Sequence, residues 1–320
     1  MGELDGYLHR PVLYQEVIDA LLPTRGGRYI DGTLGAGGHA YGVLQASSPD
    51  GKLLGFDVDP QALEIARLRL QPFGDRVHIV QSSYTEMGIS MQRLGWSTVQ
   101  GVLLDLGVSS MQLNTPGRGF SFQVDAPLDM RFSPHAQTSA ADLVNSLTET
   151  ELAKILFEYG EERRARQIAK AIIQARPVTT TRQLSDLIMR ISSHKDSFQR
   201  HEKSGRKKMH PATRTFQALR IAVNQELQAI EMVMPKAVSA LSTGGRLAVI
   251  SFHSLEDRIV KQFFRHESRD CICPPKQPVC TCGHKASLVE INRRPIIASQ
   301  AEMIENPRAR SAKLRVIEKL

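Results

Sequence analysis

The amino-acid sequence predicts an α/β protein in which a mainly parallel sheet is interrupted by a helical insert. Three observations lead there. Short apolar runs alternate with helical periodicity up to Asp105, the alternation then stops for about a hundred residues, and strand–helix logic resumes beyond Thr215. Residues 1–108 and 215–320 are therefore expected to form one domain in two segments, with residues 109–214 as the insert.

The elements follow in order. Arg28-Tyr29-Ile30-Asp31 reads as a strand, Gly35 to Gly38 as a glycine turn and His39 to Ala46 as a helix. Lys52 to Asp57 is the second strand, and Asp59-Pro60 supplies a cap and a first-turn proline for a helix carrying Leu63, Ala66 and Leu70. Val77 to Val80 and Val99 to Asp105 are the next strands, the latter apolar enough to be buried on both faces. In the insert, Leu152, Ile155, Leu156 and Tyr159 fall at helical spacing, as do Ala165, Ile168, Ala169 and Ile172, and Leu184, Leu187, Ile188 and Ile191. Phe216, Leu219, Val223, Leu227, Ile230 and Met234 then trace one long amphipathic helix, whose apolar face serves either a core or an interface between two copies in a homodimer. Gly245 to Ser251 is a further buried strand.

Composition excludes several classes. The chain has 320 residues, 41% of them hydrophobic, and no run of about 18 apolar residues that would span a bilayer. Residues 1–6 lack the basic-then-apolar order of a signal peptide, and Gly6 stands where a myristoylation signal needs Ser or Thr. A reducing, cytoplasmic location is expected. The net charge of +8 divides unevenly: residues 1–108 carry 8 basic and 12 acidic side chains, residues 109–214 carry 17 and 11, and residues 215–320 carry 16 and 10. An acidic start followed by a basic insert and tail is compatible with a polyanionic partner, although solubility alone also accounts for such an excess.

Asp31-Gly32-Thr33-Leu34-Gly35-Ala36-Gly37-Gly38-His39 lies between a strand and a helix, where glycines let a ligand approach the backbone and a helix N-terminus offers free N–H groups. Alone it also fits a tight turn without a ligand. Asp57, closing the next strand 26 positions after Asp31, can take two ribose hydroxyls, which points to an adenosine-containing cofactor. The G-x-G-x-x-G fingerprint of dinucleotide folds fails here, because Tyr41 follows Ala40 where the third glycine belongs. A carboxylate just before the turn suits the positively charged amino-acid end of S-adenosylmethionine. The alternatives from other classes are a nucleotide-dependent oxidoreductase and a non-enzymatic, zinc-containing RNA-binding protein.

Asp105 ends a strand at the carboxyl edge, where open sheets bind ligands, and leads into Leu106-Gly107-Val108-Ser109-Ser110-Met111-Gln112-Leu113-Asn114. That segment, with Gly119-Phe120-Ser121-Phe122, Pro127 to Phe132, His210 to Arg220, Ser251 to Asp257 and Asn306 to Ser311, resembles the bacterial 16S ribosomal RNA cytosine-N4 methyltransferases. The resemblance starts at His9-Arg10-Pro11-Val12-Leu13 and runs almost to the C-terminus. It implies a Rossmann-like class I methyltransferase sheet with a helical substrate-recognition insert. The implied activity is S-adenosylmethionine-dependent methylation of a decoding-centre cytosine in the small ribosomal subunit. Carried over, the cofactor contacts are Gly37, Gly38, His39, Asp57, Tyr84, Asp105 and Gln112, with the Tyr84 ring against adenine.

Methylation of N4 benefits from an acceptor for its proton. The Asp/Asn/Ser-Pro-Pro-aromatic motif of many exocyclic-amine methyltransferases is absent, since Asp105-Leu106-Gly107-Val108 stands there; Asp105, Asp129 and Ser109 are the candidates. Asp105 also suits the cofactor, and Asp129 also suits a pair with Arg131. Phe120, Phe122 and Phe132 serve either as a clamp on a flipped base or as core. Lys195 to Arg214, with seven basic residues to two acidic, is the best phosphate-contacting run, with Arg163, Arg164, Arg166 and Lys170 on a preceding helix. Ser254, Glu256 and Asp257 either cap a helix or enter the site. No catalytic metal is expected. Cys271-Ile272-Cys273 and Cys280-Thr281-Cys282 depart from the usual C-x₂₋₄-C zinc spacing, which leaves either a tetrahedral metal site or a loop of reduced thiols, structural in both cases.

Overall fold

The computed structural model describes residues 11–196, 210–274 and 277–320. The segment at residues 1–6, His9-Arg10 of the first family block and most of the basic run from Lys195 lie outside the described residues. The chain divides into two compact units, Met1–Gly107 with Leu227–Leu320, and Val108–Glu226.

The first unit is built on a seven-stranded sheet of β1 (Arg28–Asp31), β2 (Lys52–Asp57), β3 (Val77–Gln81), β4 (Val99–Asp105), β5 (Leu241–Ser251), β6 (Leu288–Glu290) and β7 (Lys313–Lys319). Their order is β3-β2-β1-β4-β5-β7-β6. β1 to β5 pair in parallel, whereas β7 runs antiparallel to both β5 and β6. This is the Rossmann-like architecture expected, and the strand order reverses between β1 and β4, the switch point at which such sheets bind ligands. Alternate strand residues enter opposite cores, as the two-residue period of a strand requires. Tyr29, Leu53 and Leu103 pack with Val17, Leu44 and Leu63 on one face; Ile30, Leu54 and Leu104 pack with Met87, Val233 and Phe264 on the other. Each such fully buried side chain contributes about 1.5–3 kcal/mol.

The C-terminal strand was not foreseen. β7 buries Arg315 between apolar neighbours, and that guanidinium is held by Asp257, with Arg315 Nε donating to Oδ1 at 2.7 Å and Lys313 Nζ donating to Oδ2 at 3.2 Å. Asp257 therefore anchors β7 to the helix Ser254–Glu267 and caps nothing. The cap of that helix is His253, with Glu256 completing the box; Ser254 is exposed.

In the second unit the helices Glu149–Gly160, Ala165–Ala175, Thr181–Asp196 and Thr213–Asn224 close on Leu152, Leu156, Ile168, Ile172, Leu184, Ile188 and Leu219. Thr148 and Glu151 form a capping box at the start of the first of these. The long helix expected from Phe216 to Met234 is two helices, Thr213–Asn224 and Glu226–Ala240, because Gln225 takes a left-handed conformation at φ 50° and ends the first. Phe216 and Leu219 are buried in the core of the second unit and Ile230 and Met234 in that of the first, so the apolar face serves the chain's own cores. The second crossing between units consequently falls at Glu226/Leu227 rather than at 214/215.

Candidate active site

β1, β2 and β4 lie side by side and each ends in an aspartate. The register pairs Asp31 with Gly55 and Leu103, so Asp57 and Asp105 stand two residues further along the neighbouring strands at the same carboxyl edge. The glycine turn is stitched across this edge. Gly32 N donates to Leu103 O at 2.9 Å, Leu34 N to Phe56 O at 2.8 Å, Thr33 N to Asp31 Oδ1 at 3.1 Å and Gly35 N to Asp57 Oδ2 at 2.8 Å. Asp105 N donates to Thr33 Oγ1 at 2.6 Å. Gly37 sits at φ 75° and precedes the helix Gly38–Ala46, a conformation that only glycine adopts without strain. Tyr84 follows β3, and its Cβ lies 3.0 Å from where a side chain on Gly32 would begin.

Burial dominates the electrostatics. It raises Asp31 to about 7, with repulsion from Asp57 adding to it, and raises Asp57 to about 6 against hydrogen bonds from the Asp59 and Gly35 N–H groups. Asp105 reaches about 8, from burial first and then from Asp31 and Glu256. His39 is buried too and is lowered to about 4, so it is neutral at pH 7. Its Nε2 lies 3.0 Å from the Val12 carbonyl, which places the ring proton there and leaves Nδ1 facing Asp105 Oδ2 at 3.8 Å, too far for a hydrogen bond. Among the described residues no Lys or Arg pairs with any of the three aspartates, and Asp105 Oδ1 is buried without a hydrogen-bond partner. Three carboxyl groups with no cation, Asp31 buried and Asp57 and Asp105 partly buried, fit a ligand that brings positive charge, as the ammonium and sulfonium of S-adenosylmethionine do.

The insert holds the remaining candidates. Ser109 caps the helix Ser110–Asn114 in a box with Gln112: Ser109 Oγ accepts from Gln112 N at 3.2 Å and Gln112 Oε1 from Ser109 N at 3.0 Å. Asp129 grips Arg131 with both oxygens, Nε donating to Oδ1 at 2.8 Å and Nη2 to Oδ2 at 2.7 Å. Burial pushes this carboxyl up, but the bonds from Arg131 outweigh it and hold it below the ordinary range. Between them Met130 is left-handed at φ 62°. Sequence reasoning missed what fixes this knot: Asn224 Oδ1 accepts from Phe132 N at 2.7 Å, its Nδ2 donates to Met130 O at 2.8 Å, and Arg118 Nη2 donates to the carbonyls of Arg131 and Phe132. No local pattern signals a partner 92 residues away. Phe120 is core and stacks on Phe132 at 5.7 Å, while Phe122 stacks on His210 at 4.4 Å. Arg163, Arg166 and Lys170 are exposed.

Comparison with known proteins gives a family model described as the MraW methylase family, matching residues 6–320. Relatives named Ribosomal RNA small subunit methyltransferase H include those of Geobacter sulfurreducens, 53% identical over 317 residues, covering 98% of this chain and 99% of the relative. The protein of Citrifermentans bemidjiense is 50% identical over 320 residues, covering 99% and 100%. That of Heliobacterium mobile is 47% identical over 313 residues, covering 98% and 99%. With the glycine turn, the three strand-end aspartates and the insert all within the matched residues, the chain belongs to the MraW methylase family.

Proposed function

We propose that the protein methylates the exocyclic N4 of a decoding-centre cytosine in 16S ribosomal RNA, in the cytoplasm, with the small ribosomal subunit as the substrate. The observation that supports it best is the cation-free trio of Asp31, Asp57 and Asp105 at one strand edge around a glycine turn, in a chain about half identical to proteins named as small-subunit rRNA methyltransferases. Membership in a methylase family removes the oxidoreductase and the non-enzymatic readings. No helix among the described residues is long and apolar enough to cross a membrane.

S-adenosylmethionine, when bound, supplies an activated sulfonium methyl. The chain's own residues hold and orient. Asp57 takes the ribose hydroxyls, Asp31 the ammonium end, Tyr84 the adenine face, and the backbone at Gly37 and Gly38 admits the ligand closely. His39 stays neutral and adds no competing charge. Among Asp105, Asp129 and Ser109, the acceptor for the N4 proton is Asp105. Asp129 is occupied by Arg131 and Ser109 by its cap, whereas Asp105 has an unpartnered oxygen and titrates near working pH. The exposed Arg163, Arg166 and Lys170 and the run to Arg214 contact phosphates.

The test is methyl transfer from labelled cofactor to purified small subunits and to protein-free 16S rRNA, with the modified nucleotide mapped. Label on N4 of one cytosine, on subunits in preference to bare RNA, is the expected result; label on protein refutes the assignment. Asp57→Ala is expected to abolish transfer and leave RNA affinity intact, and full activity in that variant removes the ribose-binding role.

A further inference from the structure

Away from the aspartates, residues 268–287 join the helix Ser254–Glu267 to β6 with no helix or strand among those described. Irregular connections of this length are uncommon in compact domains and usually have a function. This one carries all four cysteines of the chain, three of them exposed and none in a core, where thiols are open to oxidation. Their sulfurs nevertheless converge. Cys280 and Cys282 Sγ are 3.6 Å apart, Cys282 and Cys271 Sγ are 3.9 Å apart, and all four lie within 4.8 Å of one another. A disulfide would bring two sulfurs to about 2.05 Å. Four sulfurs placed tetrahedrally at about 2.3 Å from one zinc ion stand about 3.8 Å apart, close to the 3.6 and 3.9 Å of the Cys280–Cys282 and Cys282–Cys271 pairs.

The backbone supports the same reading. Ile272 N donates to Cys282 Sγ at 3.5 Å, and the His284 N–H also faces Cys282. Cys273 receives the N–H groups of Thr281 and Cys282, and Cys271 that of Cys273. Amide donors aimed at sulfur favour thiolate over thiol and fix the orientation of metal ligands. His284 is tied back to the loop, its Nδ1 2.8 Å from Arg269 O. The short C-x-C spacing is thus no obstacle, since the fold of the loop, not the spacing within each pair, brings the sulfurs together.

We propose that Cys271, Cys273, Cys280 and Cys282 form a tetrathiolate site for a single zinc ion that closes the loop between the helix Ser254–Glu267 and β6. Four protein ligands leave no open position, so the ion is structural and takes no part in methyl transfer. The inference is independent of the substrate assignment.

The test is metal analysis of the full chain, expressed with added zinc and purified with a reductant and without chelator, beside the Cys280→Ser/Cys282→Ser variant. About one zinc per chain is expected, falling to about none in the variant while S-adenosylhomocysteine affinity stays within about twofold. Cobalt(II) added to metal-free wild type is expected to give thiolate-to-cobalt charge-transfer bands and tetrahedral d–d bands, a readout that does not depend on the variant folding. Zinc-free wild type without those bands, equal zinc content in a folded variant, or intact disulfides in the reduced protein would each overturn the site.

Discussion

Cofactor affinity is expected to rise with pH over the range in which the three strand-end aspartates ionise. Asp57, Asp31 and Asp105 titrate at about 6, about 7 and about 8 in the ligand-free protein. A cationic ligand needs their ionised forms. At about pH 6, ionising Asp105 costs about 2.7 kcal/mol, two pH steps at about 1.36 kcal/mol each, and ionising Asp31 costs about 1.4 kcal/mol. The Asp105 part alone weakens binding about 100-fold relative to pH above 8. Isothermal titration with S-adenosylmethionine, which carries the sulfonium charge, in buffers of different ionisation enthalpy from about pH 6 to about pH 8.5, measures both the affinity and the protons released. Asp105→Asn is expected to flatten the dependence to about tenfold and to remove one released proton. The free protein should show the converse. Between about pH 4 and pH 8 its folded state binds more protons than the unfolded chain, so its stability falls as pH rises and the cofactor restores it. An affinity constant within about twofold across this range, with no proton release, refutes the charge argument.

Three further outcomes follow from the geometry. Gly37→Ala places a side chain at φ 75° with Leu70 carbons 3.2 Å away, and should cost about 1–2 kcal/mol and weaken S-adenosylhomocysteine binding about tenfold; unchanged binding and melting temperature would show that the turn adapts. Arg315→Leu strands the buried Asp257 carboxylate with Lys313 alone and should cost about 3 kcal/mol in urea unfolding. The double replacement Asp257→Leu/Arg315→Leu should recover most of it, and equal losses in both variants would show that packing rather than charge is at stake. Gln225→Gly relieves a left-handed residue at the junction of two helices and should stabilise by about 0.5–1 kcal/mol, a gain that a strain-free Gln225 would not give.

The strands that build the site were legible because they are buried on both faces, which leaves a continuous apolar run ended by an acid: β1, β2 and β4 have the bounds that the runs suggest. β7 was not, since Arg315 interrupts its apolar pattern and is tolerated only because Asp257, 58 residues earlier, meets it in the fold. The break at Gln225 was hidden for a different reason. Neither Gly nor Pro marks it, so the helical period reads straight through from Phe216 to Met234 although the two halves serve different cores.

Of the candidate site, the residue types and their chain positions belong to the sequence by itself: a glycine turn, acids at three strand ends and a family pattern spanning nearly the whole chain. Their ionisation does not. Asp31, Asp57, Asp105 and His39 are charged or neutral according to how far burial removes water and which groups face them, and both depend on strands adjacent in the sheet but distant in the chain. The same holds for the cysteines. Their C-x-C spacing left two readings open, and only the folded loop, by bringing all four sulfurs within 4.8 Å, gave the pair of motifs the geometry of a metal site.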